Sequence, residues 1–141
     1  MSATQLATLA RTSAPQAMLR RFLALDAVVT GTNALAYLAF SGPLGRFLGV
    51  DSTLLLALGA FLAAYAAGVG LLAARRQPPT LGVQAVVDMN LAWTAVSLTA
   101  LVLWLTPSTA GAVWTVLQSL TVAGFAGLQL MALKARQGSS D

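Results

Sequence analysis

The sequence contains no cysteine and no histidine, and only 9% of its 141 residues are charged. Without cysteine the chain cannot form disulfides, thiolate metal sites or dithiol redox pairs. Without histidine it lacks the usual ligand of haem and zinc and the side chain that titrates near neutral pH. We therefore expect no metal ion and no cofactor.

The low charge content also separates the chain from soluble proteins. Hydrophobic residues make up 57% of the chain and the mean hydropathy is +0.78, whereas a soluble domain usually has about 25% charged residues. This composition predicts an integral membrane protein. The net charge of +4 does not indicate binding of nucleic acid, because the basic residues flank apolar segments and form no continuous face.

Four apolar segments are each long enough to cross a bilayer as a helix. Each has at least about 19 residues, which at 1.5 Å per residue matches a hydrocarbon core of roughly 30 Å. The sequence therefore predicts an all-α membrane protein, a four-transmembrane-helix bundle that forms one domain over residues 19–134. The spans cover about residues 22–40, 52–74, 81–105 and 111–133.

The segments outside the spans are polar or rich in helix breakers. Residues 1–18 are rich in Ala, Ser and Thr and contain Pro15, so we expect a mobile or surface-lying tail. Residues 135–141 are expected to form a C-terminal tail. Between the first two spans, Ser41–Val50 contains three Gly and one Pro, which predicts a turn lying in the membrane interface.

The basic residues indicate the orientation of the spans, because cytoplasmic loops carry the excess of Lys and Arg. If the chain crosses four times, all basic residues except Arg46 fall on one side. We therefore expect a multi-pass protein of a bacterial inner membrane with both termini in the cytoplasm. The pair Arg20-Arg21, with a candidate cleavage site at Ala34-Leu35-Ala36, also resembles a twin-arginine export signal. An Asp in the apolar region and three further spans of similar character favour a retained first helix.

A faint internal repeat relates the first span to the third. The residues that correspond are Asp26, Asn33 and Tyr37 in the first span and Asp88, Asn90 and Trp93 in the third. The second and fourth spans both pass through Ala- and Gly-rich sequence to a basic end. This pattern is compatible with a parallel repeat of two helical hairpins related by an axis along the membrane normal.

Polar and aromatic side chains form a stripe along one face of the first and fourth spans. At about 100° per residue, positions i, i+4, i+7 and i+11 return to nearly the same angle, as do i, i+4, i+11 and i+15. The stripes comprise Asp26, Thr30, Asn33 and Tyr37 in the first span, and Trp114, Gln118, Phe125 and Gln129 in the fourth. Each stripe predicts a helix face that is turned toward protein.

The third span carries polar residues on two faces. Gln84 and Asp88 share one face, whereas Asn90, Thr94 and Ser97 share another about 120° away. We therefore expect this helix to make polar contacts with two neighbours.

Two acids lie inside the spans, and no span contains a basic residue that could neutralise them. The helical rise from the basic flanks places Asp26 and Gln129 about 7 to 8 Å, and Asp88 about 10 to 12 Å, inside the cytoplasmic boundary. A carboxyl group in a membrane is costly and marks a candidate site, and desolvation favours its neutral form. Because Asp26 could reach Arg20, Arg21 or water by snorkelling, Asp88 is the stronger candidate.

The shared depth of these groups on three spans predicts a polar cavity inside the bundle. We expect this cavity to bind or transport a small lipophilic or cationic molecule, and the protein to form a homo-oligomer or to join a partner membrane subunit. The candidate ligand-binding residues are Asp26, Thr30, Asn33, Tyr37, Gln84, Asp88, Asn90, Trp93, Gln118 and Gln129.

Two other functions fit the same residues. In an intramembrane isomerase or cyclase, neutral Asp88 or Asp26 would act as the catalytic acid that protonates an alkene or epoxide, and Trp93 or Tyr37 would shelter the developing cation. In an accessory or assembly subunit without chemistry, small residues of the second span such as Gly59 would dock a partner helix.

Some of the polar residues also have a purely structural interpretation. Asn and Gln in membrane helices commonly form interhelical hydrogen bonds worth about 0.6 to 2 kcal/mol each. This interpretation applies to Asn33, Asn90, Gln118 and Gln129. Tryptophans near the ends of spans anchor helices at the interface, which is the expected role of Trp104 and Trp114.

The chain resembles small four-helix bacterial integral membrane proteins and, more distantly, the DoxX-like group. The segment that carries the resemblance is LDAVVTGTNALAYLAF followed by SGPLGRFLGVDSTLLLALGAFLAAYAAGVGLLAARR. The similarity in hydropathy pattern covers most of residues 20–133. The resemblance implies a small four-helix membrane protein and supplies no catalytic motif. Small multidrug transporters are similar in having four helices and an acid in the first one.

Overall fold

A computed structural model of the protein describes residues 3–103 and 105–140, and the side chains of residues 15–103 and 105–138. The expectations for Met1, Ser2, Trp104 and Asp141 lie outside the described residues. Within these residues the secondary structure is entirely helical, in agreement with the predicted all-α class. The helices are α1 (Ala3–Ala39), α2 (Ser41–Leu48), α3 (Ser52–Ala74), α4 (Thr80–Leu103) and α5 (Thr109–Ser140).

Four of these helices are long and apolar enough to cross a membrane, which confirms the predicted number of spans. The spanning segments are Pro15–Ala39, Ser52–Ala74, Thr80–Leu103 and Thr109–Gly138. Each of the four exposes large aliphatic side chains, among them Val28, Leu71, Leu81 and Leu120. Such outward apolar surface is what hydrocarbon chains solvate, so a multi-pass membrane protein follows from the helices themselves.

The two polar ends of the chain continue the first and last long helices. Residues 3–18 form the first turns of α1 even though Pro15 lies inside the helix, and α5 continues past Leu133 to Ser140. Side-chain contacts between the two ends support this extension. Arg136 donates to the side-chain oxygen of Gln16 at 3.0 Å, and Gln16 donates to the Arg76 carbonyl at 3.0 Å.

The segment predicted as an interfacial turn contains a short helix, α2. The chain leaves α1 at Phe40 (φ −124°, ψ 32°). Helix α2 ends at Leu48 and is capped by Gly49, which has a φ of 70° that favours glycine. The α2 terminus then docks on the loop between α4 and α5. The Ser108 N–H donates to the Leu48 carbonyl at 3.1 Å, and the Ser108 hydroxyl donates to the Phe47 carbonyl at 2.7 Å.

The four long helices pack unequally around the bundle. Helix α1 packs extensively on α3 and on α5, and α4 packs extensively on α5, whereas α3 and α4 have little contact with each other. The bundle therefore has one loose boundary, which we call the α3–α4 seam. This arrangement also keeps α1 with α3 and α4 with α5 as two tightly packed hairpins.

The basic segments meet at one end of the bundle, as the distribution of Arg and Lys predicts. Arg20 of α1 donates to the Ala73 carbonyl at the end of α3 at 3.1 Å. Arg136 of α5 donates to the Pro78 carbonyl in the loop between α3 and α4 at 2.6 Å. We call this the basic end, and the α2 helix lies at the opposite end.

Gly111 of α5 allows close contact with the end of α2. A Cβ at Gly111 would collide with the Leu48 carbonyl oxygen, whereas a Cβ at Gly124 on the same helix would meet open space. We expect Gly111→Ala to destabilise the protein by about 1 to 3 kcal/mol because the backbones must separate. Gly124→Ala is the matched control and should be neutral or slightly stabilising. Thermal unfolding in detergent measures both, and equal midpoints for the two variants would contradict the close approach.

Candidate functional site

The centre of the bundle contains a buried carboxyl group held by three side chains. Asp26 is 1% exposed. Its Oδ1 accepts a hydrogen bond from the Thr30 hydroxyl at 3.0 Å, one turn further along α1. Its Oδ2 accepts from Asn90 Nδ2 of α4 and from Gln129 Nε2 of α5, each at 2.8 Å. Asp26 therefore connects three helices.

The network continues from Asp26 to α3. Asn90 Nδ2 also donates to Gln129 Oε1 at 3.2 Å, and Asn90 Oδ1 accepts from the Tyr65 hydroxyl at 2.8 Å. Among the described side chains, no buried nitrogen or oxygen atom lacks a hydrogen-bond partner. We call the group Asp26, Thr30, Tyr65, Asn90 and Gln129 the Asp26 network.

Neutral donors surround Asp26, and water is kept away from it. Two amide donors converge on one carboxyl oxygen, which satisfies the hydrogen-bonding capacity of this buried group. In the described part of the chain, no Lys or Arg donates to this carboxyl group. An apolar cluster that includes Leu19, Leu23 and Val83 lies between the network and the basic end. Asp26 therefore does not snorkel to that end, and when ionised it is a buried charge without a counter-ion.

Asp88 lies on the outer surface of α4, away from this network. Its side chain is exposed and accepts a hydrogen bond from Gln84 Nε2 at 2.9 Å. Asp88 and Asn90 are two residues apart, which separates them by about 200° around a helix. Because Asn90 faces the interior, Asp88 and Gln84 face outward. The structure therefore brings neither of them to the site, although the sequence analysis favoured Asp88.

One cavity lies beside the Asp26 network, and a second follows it toward α2. The network-side cavity has a volume of about 140 Å³ and the α2-side cavity about 240 Å³. Polar residues that line the network-side cavity are Thr30, Asn33, Asn90, Gln118 and Thr121, and its aromatic residues are Tyr37, Phe61, Tyr65, Trp93, Trp114 and Phe125. The α2-side cavity is more apolar and reaches Leu48, Leu55 and Ser97.

Four side chains line both cavities and form a partition between them. The Trp114 indole N–H donates to the Tyr37 hydroxyl at 2.8 Å. The Trp93 indole N–H donates to Gln118 Oε1 at 2.8 Å. These two hydrogen-bonded pairs, Tyr37–Trp114 and Trp93–Gln118, also explain why Trp114 lies inside the bundle and does not act as an interface anchor.

Two polar groups on α1 face the cavities with unused hydrogen-bonding capacity. The side-chain amide of Asn33 lines the network-side cavity and has no hydrogen-bond partner among the described residues. The Tyr37 hydroxyl accepts from Trp114, but its own proton is donated to no described residue. Since Asn33 and Tyr37 are four residues apart, both groups are available to one bound molecule.

Aromatic rings bridge the α3–α4 seam next to the network-side cavity. Phe61 of α3 stacks on Trp93 of α4, with ring centroids 6.1 Å apart and planes 3° apart. Phe61 also stacks on Tyr65 at 6.2 Å. Phe61 is 46% exposed, so the rings separate the cavity from the surrounding lipid without any close contact of backbones.

The structural interpretation of the amides holds for three of four residues. Asn90, Gln118 and Gln129 form interhelical hydrogen bonds, whereas Asn33 forms none among the described residues. The residues predicted for the site do not include Tyr65, Phe61, Trp114 or Phe125. Tyr65 had a detectable signal, because it is the only polar side chain between Thr53 and the end of the second span.

Comparison with known proteins identifies no relative. No family model, no curated protein and no solved structure matches the chain. The resemblance to DoxX-like proteins therefore stays a prediction. The described residues also contain no group of three or more Asp, Glu, His or Cys that could hold a metal ion.

The Asp26 network makes a testable contribution to stability. Gln129→Leu removes one of the two donors to Asp26 Oδ2 and leaves a buried carboxyl group less well compensated. We expect a loss of about 1 to 3 kcal/mol in the free energy of unfolding. Gln77→Leu, an exposed amide in the α3–α4 loop, is the control and should change stability by less than about 0.5 kcal/mol. Chemical unfolding in detergent compares them, and equal stabilities would show that the network is not stabilising.

Proposed function

We propose that this protein binds a small lipophilic cation in the network-side cavity. The observation that carries the proposal is a buried acid with neutral partners only, next to an aromatic cavity with two unused polar groups. The acid supplies negative potential, and Asn33 and Tyr37 supply hydrogen bonds. A molecule that combines positive charge with apolar surface complements all of these features.

The preference for a cation follows from the charges around the cavity. Asp26 lies directly behind Thr30 and Asn90, which line the cavity wall, and no Lys or Arg is among the described residues that line either cavity. The potential of an ionised Asp26 is weakly screened in such a low-dielectric interior. The faces of Trp93 and Tyr65 add cation–π attraction, which is worth about 2 kcal/mol in a desolvated site.

The preference for a lipophilic molecule follows from the walls and the entrance. Aliphatic side chains such as Val29, Leu62 and Val122 line the cavity beside the aromatic rings. The α3–α4 seam borders the cavity and holds rings in place of close helix contact, so a ligand dissolved in the bilayer can enter sideways. The α2-side cavity extends the path along the bundle, which supports transport if the partition of Tyr37, Trp93, Trp114 and Gln118 opens.

The alternative functions have less support from the geometry. No carboxyl group of the described residues lines either cavity, so an isomerase would lack an acid in contact with its substrate. Two of the small residues of α3 that were expected to dock a partner, Gly59 and Gly70, face α1 instead. A Cβ at Gly59 would lie 2.9 Å from the Leu38 side chain, and one at Gly70 would lie 3.8 Å from Ala27.

We also propose a bacterial inner membrane with the basic end in the cytoplasm, which places both termini inside. Cytoplasmic loops of membrane proteins carry the excess of Lys and Arg, and the basic end carries that excess in this chain. The tight packing of α1 with α3 and of α4 with α5 supports the proposed parallel repeat of two helical hairpins.

A matched pair of ligands tests the proposed function. Benzyltrimethylammonium and neopentylbenzene have the same shape and differ in one atom, nitrogen against carbon, and hence in charge. We expect the cation to quench the fluorescence of Trp93 and Trp114 with at least about tenfold higher affinity than the neutral isostere, a difference of about 1.4 kcal/mol. Asp26→Asn should remove most of this difference and leave binding of the neutral molecule unchanged.

The outcomes of this titration separate the parts of the proposal. Equal affinity for the two ligands, unchanged in Asp26→Asn, would contradict the preference for a cation. Absence of binding by either ligand in the folded wild type would contradict ligand binding in the cavity. Gln77→Leu is the control that should titrate like the wild type.

The orientation is tested by the accessibility of tags at the two termini. In intact bacterial cells, we expect a protease or an impermeant label to reach neither tag and to reach both after the membrane is opened. Labelling of either terminus in intact cells would show that the proposed topology is wrong.

A further inference from the structure

The outer face of α4 carries an exposed carboxyl group among small residues. Of the four spanning helices, α4 is the least buried. The exposed positions of this face follow each other at spacings of three and four residues, and most of them are small. They are Ala85, Asp88, Ala92, Ala95 and Thr99. We call these five residues the α4 face.

The carboxyl group of Asp88 does not suit contact with lipid. Asp88 lies eight residues into α4, which begins at Thr80, so it is about 12 Å along the helix from the basic end. Acids in spanning helices almost always face protein or a water-filled cavity, because hydrocarbon supplies no hydrogen-bond donors. Gln84 is the hydrogen-bond partner of Asp88 in this chain, and the Asp88 side chain remains exposed. Another donor must therefore come from outside the chain.

We propose that a second copy of this chain covers the α4 face, with the two α4 helices parallel about a two-fold axis along the membrane normal. Gln84, next to the α4 face, supplies an amide donor one helical turn from an acceptor, the Asp88 carboxyl group. A face with both partners is complementary to itself, as a two-fold interface requires. An apolar partner helix would bury Asp88 without supplying a donor.

The second copy completes the hydrogen bonding at this depth. The Gln84 Nε2 has two protons, and one is donated to Asp88 of the same chain. The other proton is free to reach Asp88 of the second copy, so each carboxyl group receives one amide from each helix.

The small residues around Asp88 allow the two helices to approach closely. Ala85 and Ala92 lie on either side of Asp88, and Ala95 follows one turn later. Helices in lipid associate through such small side chains, because no hydrophobic effect drives them together and close packing must replace it. The α4 face does not line either cavity, so dimerisation does not depend on the proposed ligand.

The absence of cysteine makes a direct cross-linking test possible. In proteoliposomes of the full chain, a mild oxidant should convert Ala92→Cys to a disulfide-linked dimer. Ala64→Cys is the control, since Ala64 is exposed on α3 and lies ten residues from its basic end, compared with twelve for Ala92 on α4. We expect at least tenfold more dimer from Ala92→Cys at the same ratio of protein to lipid.

Two further measurements decide between specific pairing and collision. Adding Gln84→Leu to Ala92→Cys removes the bridging amide and should lower the dimer yield several-fold, while Ala92→Cys alone should retain the wild-type thermal midpoint. Similar yields from Ala92→Cys and Ala64→Cys, or no dimer from a folded Ala92→Cys, would overturn the proposal. A yield that Gln84→Leu leaves unchanged would overturn the role of the amide and the carboxyl group in it.

Discussion

The burial of one carboxyl group constrains the rest of this bundle. Hydrocarbon offers no hydrogen bonds, so every donor that Asp26 needs must come from protein. One donor comes from its own helix, and the other two come from Asn90 of α4 and Gln129 of α5. Tyr65 adds α3 through its bond to Asn90. The carboxyl group therefore fixes the rotation of the long helices about their axes, which apolar packing between nearly uniform helix surfaces would specify weakly.

These rotations determine what lines the cavities. With Gln129 turned inward, the period of the helix also turns Phe125, Gln118 and Trp114 inward on α5. On α1, the face that carries Asp26 also carries Asn33 and Tyr37. The aromatic and amide lining is thus a geometric consequence of the Asp26 network. The partition also fixes part of the cavity lining. Trp114 of α5 holds Tyr37 of α1 in place, and Gln118 of α5 holds Trp93 of α4 in place.

The sequence predicts some of these features well and others poorly, for physical reasons. The spans end within a few residues of their predicted positions at most boundaries, because length and hydropathy are local properties. The inward faces of α1 and α5 can also be predicted from the sequence of each helix alone, since the stripe gives each helix one polar face. The rotation of α4 cannot be predicted from its own sequence, because it has two polar faces. The position of Asp26 on α1 decides that Asn90 points inward and Asp88 outward. The helical ends at residues 3–18 likewise depend on contacts such as Gln16 with Arg136.

The cavities themselves follow from the asymmetry of α3. The side of α3 that faces α1 is small, with Gly59 against Leu38 and Ala66 close to Gly31, so the two backbones approach closely. The other side carries Phe61 and Tyr65, whose rings reach across to Trp93 and Asn90 of α4. Close packing on one side draws α3 away from α4, and large rings on the other side bridge the remaining distance without filling it. The space that results lies between aromatic faces, borders the lipid, and is adjacent to the only buried acid that the described residues contain.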